Sequence, residues 1–128
     1  MLYDLVVDKN FLLIGSMAAF LAVALGAFGA HGLRSRLSPD MLAVFETGVR
    51  YHMYHALALL ATALVMERIG GRLVVCAGWS FTAGIVLFSG SLYLLALTGV
   101  TILGAITPLG GLAFLIGWAC LAIAAASA

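Results

Sequence analysis

From residue 11 to residue 33 the chain carries no aspartate, glutamate, lysine or arginine, and from residue 73 to its last residue it carries none at all. A spanning helix takes about 20 apolar residues, so the first run reads as one membrane span at about 11–33. The second run is too long for one helix. Thr98, Gly99, Val100 and Thr101 supply a turn within it, which predicts a hairpin of two spans at about 73–97 and 102–126. Thr107-Pro108 either kinks the last span or opens its regular part. Between the two runs, Ser38-Pro39-Asp40 has the chemistry of a helix start: a hydroxyl cap, proline in the first turn and an acid beside it. Leu37, Met41, Phe45 and Val49 then recur at helical spacing while Asp40, Glu46 and Arg50 do not share their face. Residues 38–50 therefore read as an amphipathic segment at the lipid headgroups, leading into a second span at about 50–67. The uncharged part of that span, residues 51–66, covers only about 24 Å of helix against a hydrocarbon core of about 30 Å. Arg50 is thus expected to snorkel or to occupy a protected cleft. The prediction is an all-α membrane protein, a four-transmembrane-helix bundle forming one domain over residues 1–128.

Composition agrees. The chain is 65% hydrophobic and 9% charged, where a soluble domain is about 25% charged, so a water-soluble fold is excluded. The net charge of +1 and the lack of a basic run imply no nucleic-acid partner. The first uncharged run is longer than the ~7–15 apolar residues of a secretory signal, so it is read as a retained span of a multi-pass membrane protein. Lys9, Arg68 and Arg72 fall on one side and Arg34, Arg36 and Arg50 on the other, which leaves orientation undecided. Cys76 and Cys120 lie in apolar stretches and read as core. Two rows of small residues read as close-packing faces, within the bundle or between subunits. The first is Ala18, Ala22, Gly26 and Ala30, and the second Gly110, Ala113 and Gly117.

Short turns between spans assign each polar group to a leaflet. His31, Arg50, His52, His55, Ser89, Ser91, Tyr93 and Thr107 all fall toward the side of the first loop. Ionisable groups inside spans are costly and face a bundle interior or a water cavity. Three readings of this cluster are open. His52 and His55 are three apart and share a helix face, as metal or haem ligation would need, but no carboxylate or thiol accompanies them. The cluster could instead handle a proton, an ion or a small ligand. The third reading is structural, with these side chains hydrogen-bonding between helices around irregular backbone. No catalytic triad, phosphate loop or cofactor motif is present, and no cofactor is expected.

The blocks Gly26-Ala-Phe-Gly-Ala-His-Gly-Leu33, Phe45-Glu-Thr-Gly-Val-Arg-Tyr-His52, Leu87-Phe-Ser-Gly-Ser-Leu-Tyr93 and Gly104-Ala-Ile-Thr-Pro-Leu-Gly-Gly111 occur in order along the chain. Together they resemble the bacterial inner-membrane family known as domain of unknown function 423. The resemblance implies four spans, a place in the bacterial inner membrane and no established activity. The expected role is non-enzymatic: helix-mediated assembly as a homo-oligomer or as an accessory subunit of a membrane complex. Ligand, ion or proton handling by the polar cluster is the alternative, and haem or metal binding ranks below both.

Overall fold

The computed structural model describes residues 2–128 and, among these, the side chains of all but residues 3–5, 7 and 8. Among the described residues every regular element is helical. Helix α1 spans Leu2–His31 and α2 spans Pro39–Arg68, each 30 residues long. Helix α3, Arg72–Gly84, continues without a break through a π-helical turn at Ile85–Ser89 into α4, Gly90–Thr98. A 3-10 turn, Thr101–Ala105, then leads into α5, Thr107–Ser127. Four helical rods result, with α3, the π turn and α4 forming the third.

Local chemistry sets the boundaries. Ser38 Oγ accepts a hydrogen bond from the Met41 N–H at 3.2 Å, and Pro39 opens α2 where its missing N–H costs nothing. The α2–α3 connection is only three residues because Gly70 and Gly71 adopt positive φ, 67° and 91°, a conformation that other L-residues adopt only under strain. Gly99, at φ 71°, ends α4 in the same way. The amphipathic turns at 38–50 and the span expected after them are one helix, since no glycine pair or proline interrupts residues 41–66.

Among the described residues, three stretches are long and apolar enough to cross a membrane: Lys9–His31, Arg72–Thr98 and Thr101–Ser127. Helix α2 is less apolar, and its position explains why. It packs against α1, α3, the π turn and α4, so much of its surface faces protein rather than lipid. The apolar core lies in two parts. Phe11, Leu59, Met66, Val74, Phe81 and Phe114 belong to the larger cluster, toward the α2–α3 turn. Leu33, Phe45 and Ala96 form the smaller one, toward the first loop.

Contact between helices follows one repeated device, an aromatic ring seated on a glycine. A Cβ at Gly78 would collide with the Phe11 ring, one at Gly84 with Phe114, one at Gly117 with Phe81 and one at Gly29 with Phe45. At Gly110 the obstacle is backbone: a Cβ there would run into Phe88 N and Cα on the π turn. Such close approach is how helices associate in lipid, where water does not drive apolar surfaces together. Of the residues expected to form small-residue faces, Ala22, Gly110 and Gly117 are buried, Ala18, Gly26 and Ala113 half-buried, and Ala30 exposed. The face that α1 turns to α2 includes Gly15, Ala22, Gly26 and Gly29, so its row steps by three as well as four residues and leaves Ala30 outside.

Candidate functional site

Between the two apolar clusters lies a band of buried polar side chains: His52, His55, Ser89 and Ser91, with Tyr93 and Thr107 half-buried beside them. Each has a specific partner. His52 Nδ1 and the Tyr93 hydroxyl are 2.8 Å apart, which ties α2 to α4. Ser89 Oγ donates to the Gly48 carbonyl at 2.7 Å, linking the π turn to α2. Gly48 has no side chain because the Tyr93 ring lies against it. Ser91 Oγ donates to the Phe88 carbonyl at 2.9 Å, so its oxygen is left to accept from Thr107 Oγ1 at 2.7 Å. That pair fastens α4 to the start of α5.

His55 is the most fully specified group. Its Nδ1 lies 2.8 Å from the Tyr51 carbonyl, and a carbonyl can only accept. Its Nε2 lies 3.1 Å from Trp118 Nε1, and an indole N–H can only donate. The ring is therefore the neutral Nδ1–H tautomer, with both nitrogens engaged and no lone pair free for a metal. Phe114 stacks on it with centroids 3.5 Å apart and planes within 5°. Among the described residues, no three His, Cys, Asp or Glu side chains converge on a metal position.

Beside this ring pair, α2 and α5 are held apart by side chains, and the space between them is a groove of about 440 Å³. Tyr51, Tyr54, His55, Phe88, Phe114 and Trp118 line it, with Gly111 and Leu115. Tyr51, Tyr54, Leu115 and Trp118 are exposed, so the groove opens sideways, toward lipid. Phe88 closes its floor from the π turn, 4.7 Å from Tyr51 and 5.4 Å from Phe114 between centroids. A π-helical turn of this kind often marks a functional position in a helix. A second groove, of about 340 Å³, lies between α1 and α2 and is lined by Gly26, Gly29, Phe45, Glu46, Val49 and Arg50.

The eight residues expected as one cluster thus divide. His52 joins Tyr93, Ser91 joins Thr107, Ser89 holds Gly48, and His55 turns to Trp118. His31, at the end of α1, is exposed and outside the band, and Arg50 is exposed on the second groove. Sequence reading missed Tyr51, Tyr54, Phe88, Phe114 and Trp118. For Trp118 a signal existed: it lies eleven residues into the 21-residue α5, about 16 Å along the helix, where a buried-side indole N–H calls for a partner.

Four helical rods with outward surfaces of leucine, isoleucine, valine and phenylalanine define a multi-pass membrane protein, embedded in a lipid bilayer. The chain belongs to the family described as protein of unknown function (DUF423), whose model matches residues 25–111. It is 54% identical over 118 residues to the UPF0382 membrane protein YwdK of Bacillus subtilis, covering 91% of this chain and 96% of that protein. It is 51% identical over 116 residues to the UPF0382 membrane protein SERP0230 of Staphylococcus epidermidis, covering 91% and 94%. With the UPF0382 membrane protein SAB0533 of Staphylococcus aureus the identity is 48% over 116 residues, covering 91% and 94%. No solved structure matches the chain.

Proposed function

We propose that this protein catalyses no reaction and acts by binding within the bilayer, holding an apolar chain or similar lipid-soluble molecule in the aromatic groove between α2 and α5. The observation that carries this reading is the groove itself. Its volume, about 440 Å³, falls within the range of about 300–1,000 Å³ typical of small-molecule sites, which are mostly apolar with a few polar groups. The rings of Tyr51, Phe88, Phe114 and Trp118 offer flat apolar contact, and Tyr54 adds a hydroxyl-bearing ring to the lining. The histidines support binding rather than chemistry. His55 has both nitrogens engaged by Tyr51 and Trp118, and His52 is held by Tyr93, so each acts as a tie between elements.

The test is photolabelling of the full-length protein, in detergent, with a diazirine-bearing long-chain fatty acid. Labels concentrated on residues 51, 54, 88, 114 and 115, and reduced at least several-fold by Gly111→Leu, support the reading. Equal labelling of the groove and of the outward α1 residues Leu13 and Phe20, unchanged by Gly111→Leu, refutes it.

Assembly, as a homo-oligomer or as an accessory subunit, is the second reading. Within one copy, Gly26 packs on Val49 of α2, Gly110 on Phe88 of the π turn and Gly117 on Phe81 of α3, so an interface is sought on another face. The observation favouring assembly is the outward face of α1, where Ser16, Met17, Phe20 and Leu21 surround a shallow notch of about 430 Å³ that a second copy's helix would fill. A native mass spectrum of a Ser16→Leu variant tests it: a loss of multimers supports this reading, and an unchanged subunit number removes it.

A further inference from the structure

The groove between α1 and α2 differs from the other two in containing ionised side chains, Glu46 and Arg50, beside Gly26 and Gly29. Both charged residues are exposed, and they lie four positions apart on one face of α2. Their depth is unusual. Tyr93 bonds His52 and lies against Gly48, which fixes it level with that part of α2. From Tyr93 the third rod continues five residues to Thr98, about 7.5 Å farther toward the first-loop side. The hairpin beyond it is uncharged and exposes Leu97, Val100, Ile102 and Ile106. A bilayer that covers this apolar tip places Arg50 below the headgroup boundary on the opposite side of the molecule, with Glu46 one turn, about 6 Å, nearer the surface. A lone cation at that depth is costly unless polar partners come to it.

We infer that this groove is a phospholipid headgroup site selective for a phosphate joined to a primary ammonium. The order of charges matches such a lipid seated with its chains toward the membrane centre. The phosphate, nearer the chains, meets the deeper guanidinium, which can bind it with two parallel N–H donors. The ammonium, farther out, meets the Glu46 carboxylate. Gly26 and Gly29 form the α1 wall, packed closely on Val49 and Phe45, and the groove of about 340 Å³ beside them gives the headgroup its room. Selectivity follows from chemistry. A trimethylammonium has no N–H to donate to the carboxylate, and a glycerol headgroup carries no cation to balance it. This site is separate from the aromatic groove and does not depend on that reading.

The experiment uses the full chain in mixed micelles with phosphatidylethanolamine, phosphatidylcholine and phosphatidylglycerol of identical acyl chains, and reads retained lipid by native mass spectrometry. The wild type is expected to retain phosphatidylethanolamine at least five-fold over either competitor. Glu46→Gln brings the ethanolamine and choline lipids within two-fold of each other, and Arg50→Gln lowers retention of all three. Arg50→Lys keeps the order of preference, as does Arg36→Gln, which removes a loop cation outside the groove. Equal retention of the three lipids by the wild type overturns the inference, as does a preference that survives both Glu46→Gln and Arg50→Gln. Soluble phosphoethanolamine provides the second arm: displacement of the lipid at equal concentration would assign the site to a free metabolite and overturn the lipid assignment.

Discussion

Adjacent glycines on α5 give the sharpest test of how the bundle is packed. At Gly110, a Cβ would fall 2.7 Å from Phe88 Cα and closer still to its backbone nitrogen. At Gly111, one residue on, the nearest obstacle to a Cβ is Phe88 Cδ2 at 3.9 Å, an ordinary contact. Backbone on the π turn cannot rotate aside as a side chain can, so Gly110→Ala forces α5 to withdraw by about 1 Å, a gap that forfeits a quarter to a half of the dispersion energy of the contacts it opens. The affected contacts include Phe114 on Gly84, Phe81 on Gly117 and the Ser91–Thr107 hydrogen bond. Overpacking costs typically 1–3 kcal/mol, and the upper end applies because the obstruction is rigid. Alanine returns at most about 1 kcal/mol through helix propensity, which leaves a net loss of about 2 kcal/mol. Gly111→Ala meets no obstruction and is neutral or stabilising by up to about 1 kcal/mol. The two variants should therefore differ from each other by about 2–3 kcal/mol, with Gly110→Ala alone less stable than the wild type. Reversible unfolding in mixed detergent, followed by tryptophan fluorescence and circular dichroism, measures both. Equal stability of the two variants, or a Gly110→Ala protein as stable as the wild type, would refute the claim that α5 touches the π turn backbone to backbone.

Further outcomes follow from the polar band and the turns. Trp118→Phe leaves His55 Nε2 without its donor in a buried position and should cost about 1–3 kcal/mol, while nitrogen NMR of the wild type should show His55 as the neutral Nδ1–H tautomer. A double-mutant cycle of His52→Ala and Tyr93→Phe should give a coupling of at least about 0.5 kcal/mol, because the two groups share one hydrogen bond across α2 and α4. Gly70→Ala, at a φ of 67° in a three-residue connection, should cost about 1–2 kcal/mol, read in the same unfolding assay, whereas Ser38→Ala removes the α2 cap for about 1 kcal/mol.

Much of this architecture is legible in the order of residues. The uncharged runs and the cap at Ser38-Pro39 anticipate the four rods and the start of α2, and Thr98 to Thr101 marks the α4–α5 turn. The small residues announce close packing but not the surface against which they pack. Gly110 and Gly117 take Phe88 and Phe81 from the neighbouring rod, and Gly29 takes Phe45 from α2. The polar residues were likewise visible as a set, while their pairing was not. Nothing in the spacing of residues 85–89 signals a π turn, yet that turn places Ser89 on Gly48 and Phe88 at the floor of the aromatic groove.

The order of residues alone was enough to place the chain in a bilayer, to give four helical rods and to mark where they turn. Those properties depend on hydrophobic length and on local backbone chemistry, which a linear pattern records. Tertiary structure alone decided which face of each rod meets protein. In lipid the outward surface is as apolar as the inward one, so α5 carries no polar stripe to mark its buried side. The partnership of His55 with Trp118, 63 residues away, and the grooves on either side of α2 exist only once the rods have chosen their neighbours.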